Sequence, residues 1–172
     1  MIADLISILA EYANSGGKVD HKDRQIIRAL QKDGRMSNQD LAEAVSLSPS
    51  PCLRRLRNLE TSGAIRGFSA GVDAAAYGLP ITAFLSVRLE RHNEETIKRF
   101  EQQIARLDEV LECYMLTGSV DYMLRVVAAG LGEYEDFIRN RIHRIGGIAS
   151  IDTSFVYGIV KRTSVFPLID GD

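Results

Sequence analysis

The sequence predicts an α+β chain in two parts. A winged helix-turn-helix occupies residues 19–70, and a ferredoxin-like βαββαβ domain follows at 81–168, after a linker at 71–80 and behind an N-terminal extension at 1–18. Three observations carry this. Hydrophobic residues recur at helical spacing up to Ala70 and alternate beyond Gly71. Charge changes with them: residues 20–70 hold nine Lys or Arg against six Asp or Glu, whereas 71–172 hold eleven against fifteen, within a net charge of −2. Finally, helix-start residues recur at Asp20, Ser37 and Ser48–Pro51 with the short spacing of a helix-turn-helix.

Composition bounds the alternatives. An apolar share of 45% and a charged share of 26% suit a globular chain. No apolar run nears the roughly 20 residues of a membrane span, and Met1–Leu9 lacks the basic start of a secretory signal, so a cytoplasmic location is expected. Cys52 and Cys113 are the only cysteines, too far apart in sequence for a disulfide framework or metal-ligand spacing, and His21, His92 and His143 are scattered. No Ser/His/Asp set, paired carboxylates or phosphate cradle occurs, so neither an enzyme nor a cofactor or metal is expected.

Taken in order, Leu5, Ile8, Leu9 and Tyr12 give the extension a helical apolar stripe, ending at Asn14–Gly17. The next helix opens at Asp20, with Asp23 completing a cap, and buries Ile26, Ile27 and Leu30 before Asp33–Gly34. Ser37 and Asp40 start a short helix that buries Leu41 and Val45. A third begins in Ser48–Pro51, where proline sits without losing a helical hydrogen bond. At 100° per residue, Cys52, Leu53, Leu56 and Leu59 fall within about 120°. Arg54 is nearly opposite, flanked by Ser50, Arg55, Arg57 and Asn58, which divides the helix into an anchoring face and a donor face. Residues 64–70 read as a short strand pair or wing bearing Arg66. The candidate DNA contacts are Ser48, Ser50, Pro51, Arg54, Arg55, Arg57, Asn58 and Arg66.

In the second part, Ile81, Ala83, Leu85, Val87 and Leu89 alternate with polar residues as one strand. Ile97, Phe100, Ile104 and Leu107 make a helix face. Residues 110–117 and 120–128 read as strands joined by a two-residue turn at Gly118–Ser119. Tyr134, Ile138, Ile142 and Ile145 make a second helix, and 148–161 the last strand. The sheet face away from the helices, with Phe84 and Tyr122 or its neighbours, predicts cover by a second subunit. A Gly-containing turn offers backbone N–H groups to a carboxylate, and Asp121 offers a partner to an ammonium; Gly118 and Asp121 are equally at home as hairpin residues.

Several runs resemble the Lrp/AsnC, or feast/famine, regulators: Asp23–Ile27, Leu30–Arg35, Leu47–Cys52, Arg55–Glu60, Gly118–Tyr122 and Thr153–Phe155, within Val19–Leu168. The extension departs from that family's usual short arm. The resemblance implies a DNA-binding regulator, dimers that often assemble into octamers, and a free amino acid as effector. It also implies that Met115, Ser154 and Phe155 lie near the effector, alongside Thr117, Gly118, Ser119, Asp121 and Tyr122. Two rivals stand beside a sequence-specific regulator. One is a metabolic enzyme on a ferredoxin-like fold, opposed by the capped helix-turn-helix; the other is a DNA-compacting protein of low specificity.

Overall fold

The computed structural model describes residues 19–169; the helix expected in residues 1–16 lies outside them. The chain divides into two compact units. One contains residues 19–70 with 161–169, the other 71–160. The segment 161–168, expected to belong to the second domain, thus packs with the first.

In the first unit, α1 spans His21–Lys32, α2 Asn38–Ala44 and α3 Pro49–Thr61. The start of α1 is a complete capping box: Asp20 accepts the Asp23 N–H, and the Asp23 side chain accepts the Asp20 N–H. Ser37 caps α2 through the Asp40 N–H. Its other end uses a left-handed residue that is not glycine. Ser46 has φ +54°, its N–H meets Glu43 C=O, and the following Leu47 N–H meets Ala42 C=O at 2.8 Å. This turn aims the chain into α3. Ile26, Leu30, Leu41, Val45, Cys52 and Leu59 form the buried core, to which every helix contributes. The wing is not a strand pair. Residues 64–70 carry no helix or strand, and Gly67 stands at φ +135°.

The second unit opens with a short helix, α4 (Ala74–Tyr77), inside the stretch read as linker; Asp73 caps it and Gly78 closes it. Then follow β1 (Ile81–Leu89), α5 (Glu94–Ile104), β2 (Val110–Met115), β3 (Tyr122–Ala128), α6 (Leu131–Asn140), a 3₁₀ turn (Ile142–Arg144) and β4 (Ile148–Phe155). The four strands pair antiparallel in the order β2-β3-β1-β4, the ferredoxin-like arrangement the alternation predicts. Ala83, Leu85, Val87 and Leu89 meet Phe100, Ile104, Tyr134 and Phe137 in one core, so both helices cover the same sheet face.

Three boundaries differ from expectation. The β2–β3 connection runs from Leu116 to Asp121 rather than turning in two residues, since Leu116 N–H already closes on Asp121 C=O at 2.8 Å. The second helix breaks after Asn140 into the 3₁₀ turn. The last strand stops at Phe155, not Lys161. Tyr122 is also reassigned: it lies on the helix-covered face, 3% exposed, its ring 4.6 Å from that of Phe100.

Candidate functional site

The donor face of α3 is assembled by its own helical period and by two contacts outside it. Pro49 stands at the first helical position, and the Ser48 hydroxyl makes no cap bond, so it stays exposed at the helix start. Asn38 of α2 donates to Pro49 C=O at 3.0 Å, fixing that end. Arg55 performs the second task. Its guanidinium donates to Asp20 at 2.6 Å and to Asp23 at 2.8 Å, tying α3 to the start of α1. The Asp20 carboxyl falls below its ordinary value, first through the Asp23 N–H and then through Arg55.

Arg55 therefore separates from the other arginines. Arg54, Arg57 and Asn58 are exposed along the helix, with Ser50 on the same exposed stretch, whereas Pro51 is half-buried. Arg66 is exposed in the segment after α3. Sequence spacing placed all three α3 arginines on one side; only the fold reveals that the middle one is held by two carboxylates. The signal was available in the capping pair Asp20/Asp23, which leaves carboxylate oxygens to be matched.

The second candidate set does not come together. The Thr117–Ser119 turn is exposed, with Gly118 at φ +136°. Asp121 is occupied, one oxygen accepting Leu89 N–H at 2.7 Å and the other meeting His92 Nε2 at 2.8 Å. Burial pushes its carboxyl up, but the Leu89 and His92 bonds outweigh this, and it titrates below its ordinary value. Burial drives the Tyr122 pKa up, reinforced by the bond its hydroxyl donates to Glu101 at 2.9 Å. Neither His92 nor Leu89 was expected beside Asp121, since a partner 29 or 32 residues away leaves no local pattern.

Met115, 66% exposed, sits on β2, whereas Ser154 and Phe155 sit on β4. These are opposite edges of the sheet, separated by about 14 Å at ~4.8 Å per strand. They also lie toward opposite ends: Met115 aligns through Tyr122 with Val87, and Phe155 aligns with Ala83. One chain cannot close all eight candidates around one small molecule. The Phe155 ring instead stacks edge-on against Tyr134 at 4.9 Å.

The face away from the helices carries Phe84, Tyr114 and Met123 beside an Arg125–Glu112 ion pair of 2.7 Å. Cys52 is buried; Cys113 is exposed as a residue, yet partial desolvation of its thiol and the nearby Glu101 push it up to about 11, away from a reactive thiol's range. Among the described residues, no helix is long and apolar enough to cross a membrane.

A capped three-helix unit with an exposed cationic helix, joined to an α+β sheet domain, has the architecture of a DNA-binding protein with a second domain. The comparisons agree part by part: residues 19–66 match the family model for winged helix-turn-helix DNA-binding, and residues 82–166 match that for the Lrp/AsnC ligand binding domain. The transcriptional regulator AzlB of Bacillus subtilis is 40% identical over 153 residues, 89% of this chain and 98% of that protein. The Bkd operon transcriptional regulator of Pseudomonas aeruginosa is 40% identical over 151 residues, 88% of this chain and 99% of that one. Among solved structures, a Neisseria meningitidis transcriptional regulator in complex with L-Met superposes with a TM-score of 0.82 at 34% identity, covering 88% of this chain and 97% of its own. The chain belongs to the Lrp/AsnC family of transcriptional regulators. Its relatives are regulators rather than enzymes, which removes the metabolic-enzyme reading.

Proposed function

We propose that this chain is a cytoplasmic, sequence-specific regulator that reads paired DNA half-sites as a dimer or higher oligomer, up to an octamer, and changes its DNA affinity when a free amino acid binds. The carrying observation is the division of α3: Arg55 is held by Asp20 and Asp23, leaving Arg54, Arg57, Asn58 and Ser50 on the exposed side. In this reading Arg54 and Asn58 meet base edges, while Arg57, Arg66 and the Ser48 hydroxyl meet phosphates. Pro51 and Arg55 shape the helix rather than touch DNA.

Oligomerisation covers the open sheet face, where Phe84, Tyr114 and Met123 lie, and the fully exposed Tyr157 and Val160 beyond β4. The amino acid's carboxylate meets the N–H groups of Thr117, Gly118 and Ser119, a turn that Asp121 and Tyr122 hold in shape. Met115 of one copy and the Ser154–Phe155 edge of another complete the site at a subunit junction, which accommodates their separation within one chain. The Neisseria relative's L-Met complex supports the amino-acid class without naming the amino acid here.

A thermal-shift screen against the twenty amino acids, followed by footprinting with and without the best stabiliser, tests both halves. A ligand that binds only the folded state raises Tm. A spaced footprint with base preference that changes with the ligand is the expected outcome. Uniform DNA coverage would favour compaction, and no stabilising amino acid would remove the effector class.

A further inference from the structure

Beyond β4 the chain reaches the DNA-binding helices. Residues 161–169 carry no helix or strand, yet they belong to the compact unit of α1–α3. Arg24, Arg28 and Gln31 recur at i, i+4 and i+7, one stripe of α1 distinct from the core positions Ile26 and Leu30. Each side chain on that stripe reaches a backbone group of the segment.

Gln31 makes the most specific contact. Its amide nitrogen donates to Ser164 C=O at 2.6 Å, and its amide oxygen accepts the Phe166 N–H at 3.0 Å. One side chain thus satisfies an acceptor and a donor two residues apart, as a neighbouring strand would. Arg28 donates to Phe166 C=O, and Arg24 reaches Ile169 C=O at 3.5 Å. Beside these bonds lies an apolar groove of about 280 Å³, lined by Val19 and Ile27 on one side and by Phe166, Pro167, Leu168 and Ile169 on the other. The bonds address backbone groups, so they set the segment's register, while the apolar side chains supply burial.

We infer that the Arg24–Arg28–Gln31 face of α1 is a docking surface for this chain's own C-terminal segment, and that the docked segment is a second tether on the DNA-binding unit. The first is the chain at 71–80. From Phe155 to Ser164 the connection spans at most about 30 Å, at roughly 3.3–3.6 Å per residue. A unit held by one linker pivots freely, whereas one held at two points keeps a restricted orientation. α1 also grips α3 through Arg55, so restricting α1 restricts the recognition helix. Docking would therefore set how strictly an oligomer demands one spacing between half-sites. This consequence rests on the DNA-binding reading; the docking itself does not.

Two full-length variants test it. Gln31→Ala removes both of that side chain's bonds, and Arg28→Ala removes the bond to Phe166 C=O. Without DNA, exchange of the Phe166 N–H that Gln31 accepts should quicken about tenfold or more in each variant, the size of one net hydrogen bond's loss. On DNA, displacing one half-site by about 5 base pairs, half a turn, should weaken the parent far more than either variant, while single half-site affinity stays equal. Equal exchange in parent and both variants overturns the docking. Faster exchange with the parent's full spacing preference retained overturns the tether. A parent that binds no DNA fails the functional reading instead, and its exchange pattern still decides the docking.

Discussion

The recognition helix and the effector sheet present their candidate residues in opposite ways. On α3, one helical period gathers Ser50, Arg54, Arg57 and Asn58 within three turns, and two carboxylates of α1 remove Arg55 from the set. On the sheet, the candidates divide between edges β2 and β4 and between the two ends of the strands. A surface built on one helix is complete in one chain. The candidates on the two sheet edges are not complete in one chain, which is why the proposed effector site draws on a second copy.

The largest test of this contrast concerns the sheet's support. Phe100 is fully buried and stacks on Tyr122, so Phe100→Ala should destabilise the effector domain by about 3–5 kcal/mol. Urea denaturation reads this, and a loss under about 1 kcal/mol would mean that the core closes around the gap. Next comes Arg54→Ala, which should leave fold and oligomer intact and cost about 1–3 kcal/mol of operator affinity with relaxed preference at one base. A titration across single-base operator variants measures it; unchanged affinity removes Arg54 from the interface.

Arg55→Ala should behave differently from its neighbour. Losing a part-exposed ion pair costs about 1 kcal/mol of folding stability, and DNA affinity should fall alike on every sequence because α3 is less firmly held. A loss confined to one base position would make Arg55 a reader after all. The pH dependence has a definite sign. Asp20 titrates below its ordinary 3.8 in the fold, so its stabilising contribution is present above that value and disappears as pH falls through the lowered one. In Arg55→Ala part of that contribution is gone, and acid unfolding profiles of the two proteins should converge at the acid end. The smallest effect is at the turn before α3: Ser46→Gly relieves a left-handed serine and should raise stability by no more than about 1 kcal/mol, since glycine's flexibility in the unfolded chain offsets part of the gain. A measurable loss there would mean that the serine side chain is needed.

Legibility followed the range of the interactions. The capping box at Asp20–Asp23, the Ser37 cap, the apolar face of α3 and the alternation of β1 all act within a few residues, and the structure contains each of them. No strand pair forms at 64–70, and the two-residue hairpin at Gly118–Ser119 gives way to a longer connection because Leu116 and Asp121 close the loop earlier. Of the choice left open between Tyr122 and its neighbours, Met123 takes the open face and Tyr122 the helix-covered one.

By itself, then, the sequence determined the two-part architecture, the strand and helix order, and which face of α3 is free, because these follow from periodicity and capping along a contiguous stretch. Tertiary structure alone decided that Arg55 pairs with Asp20 and Asp23, that Asp121 is taken by Leu89 and His92, and that Gln31 receives the chain's C-terminal segment. Each of these joins groups roughly 30 to 135 residues apart, and no local propensity records a partner at that distance; only the packing of whole elements brings the charges and backbone groups within bonding reach.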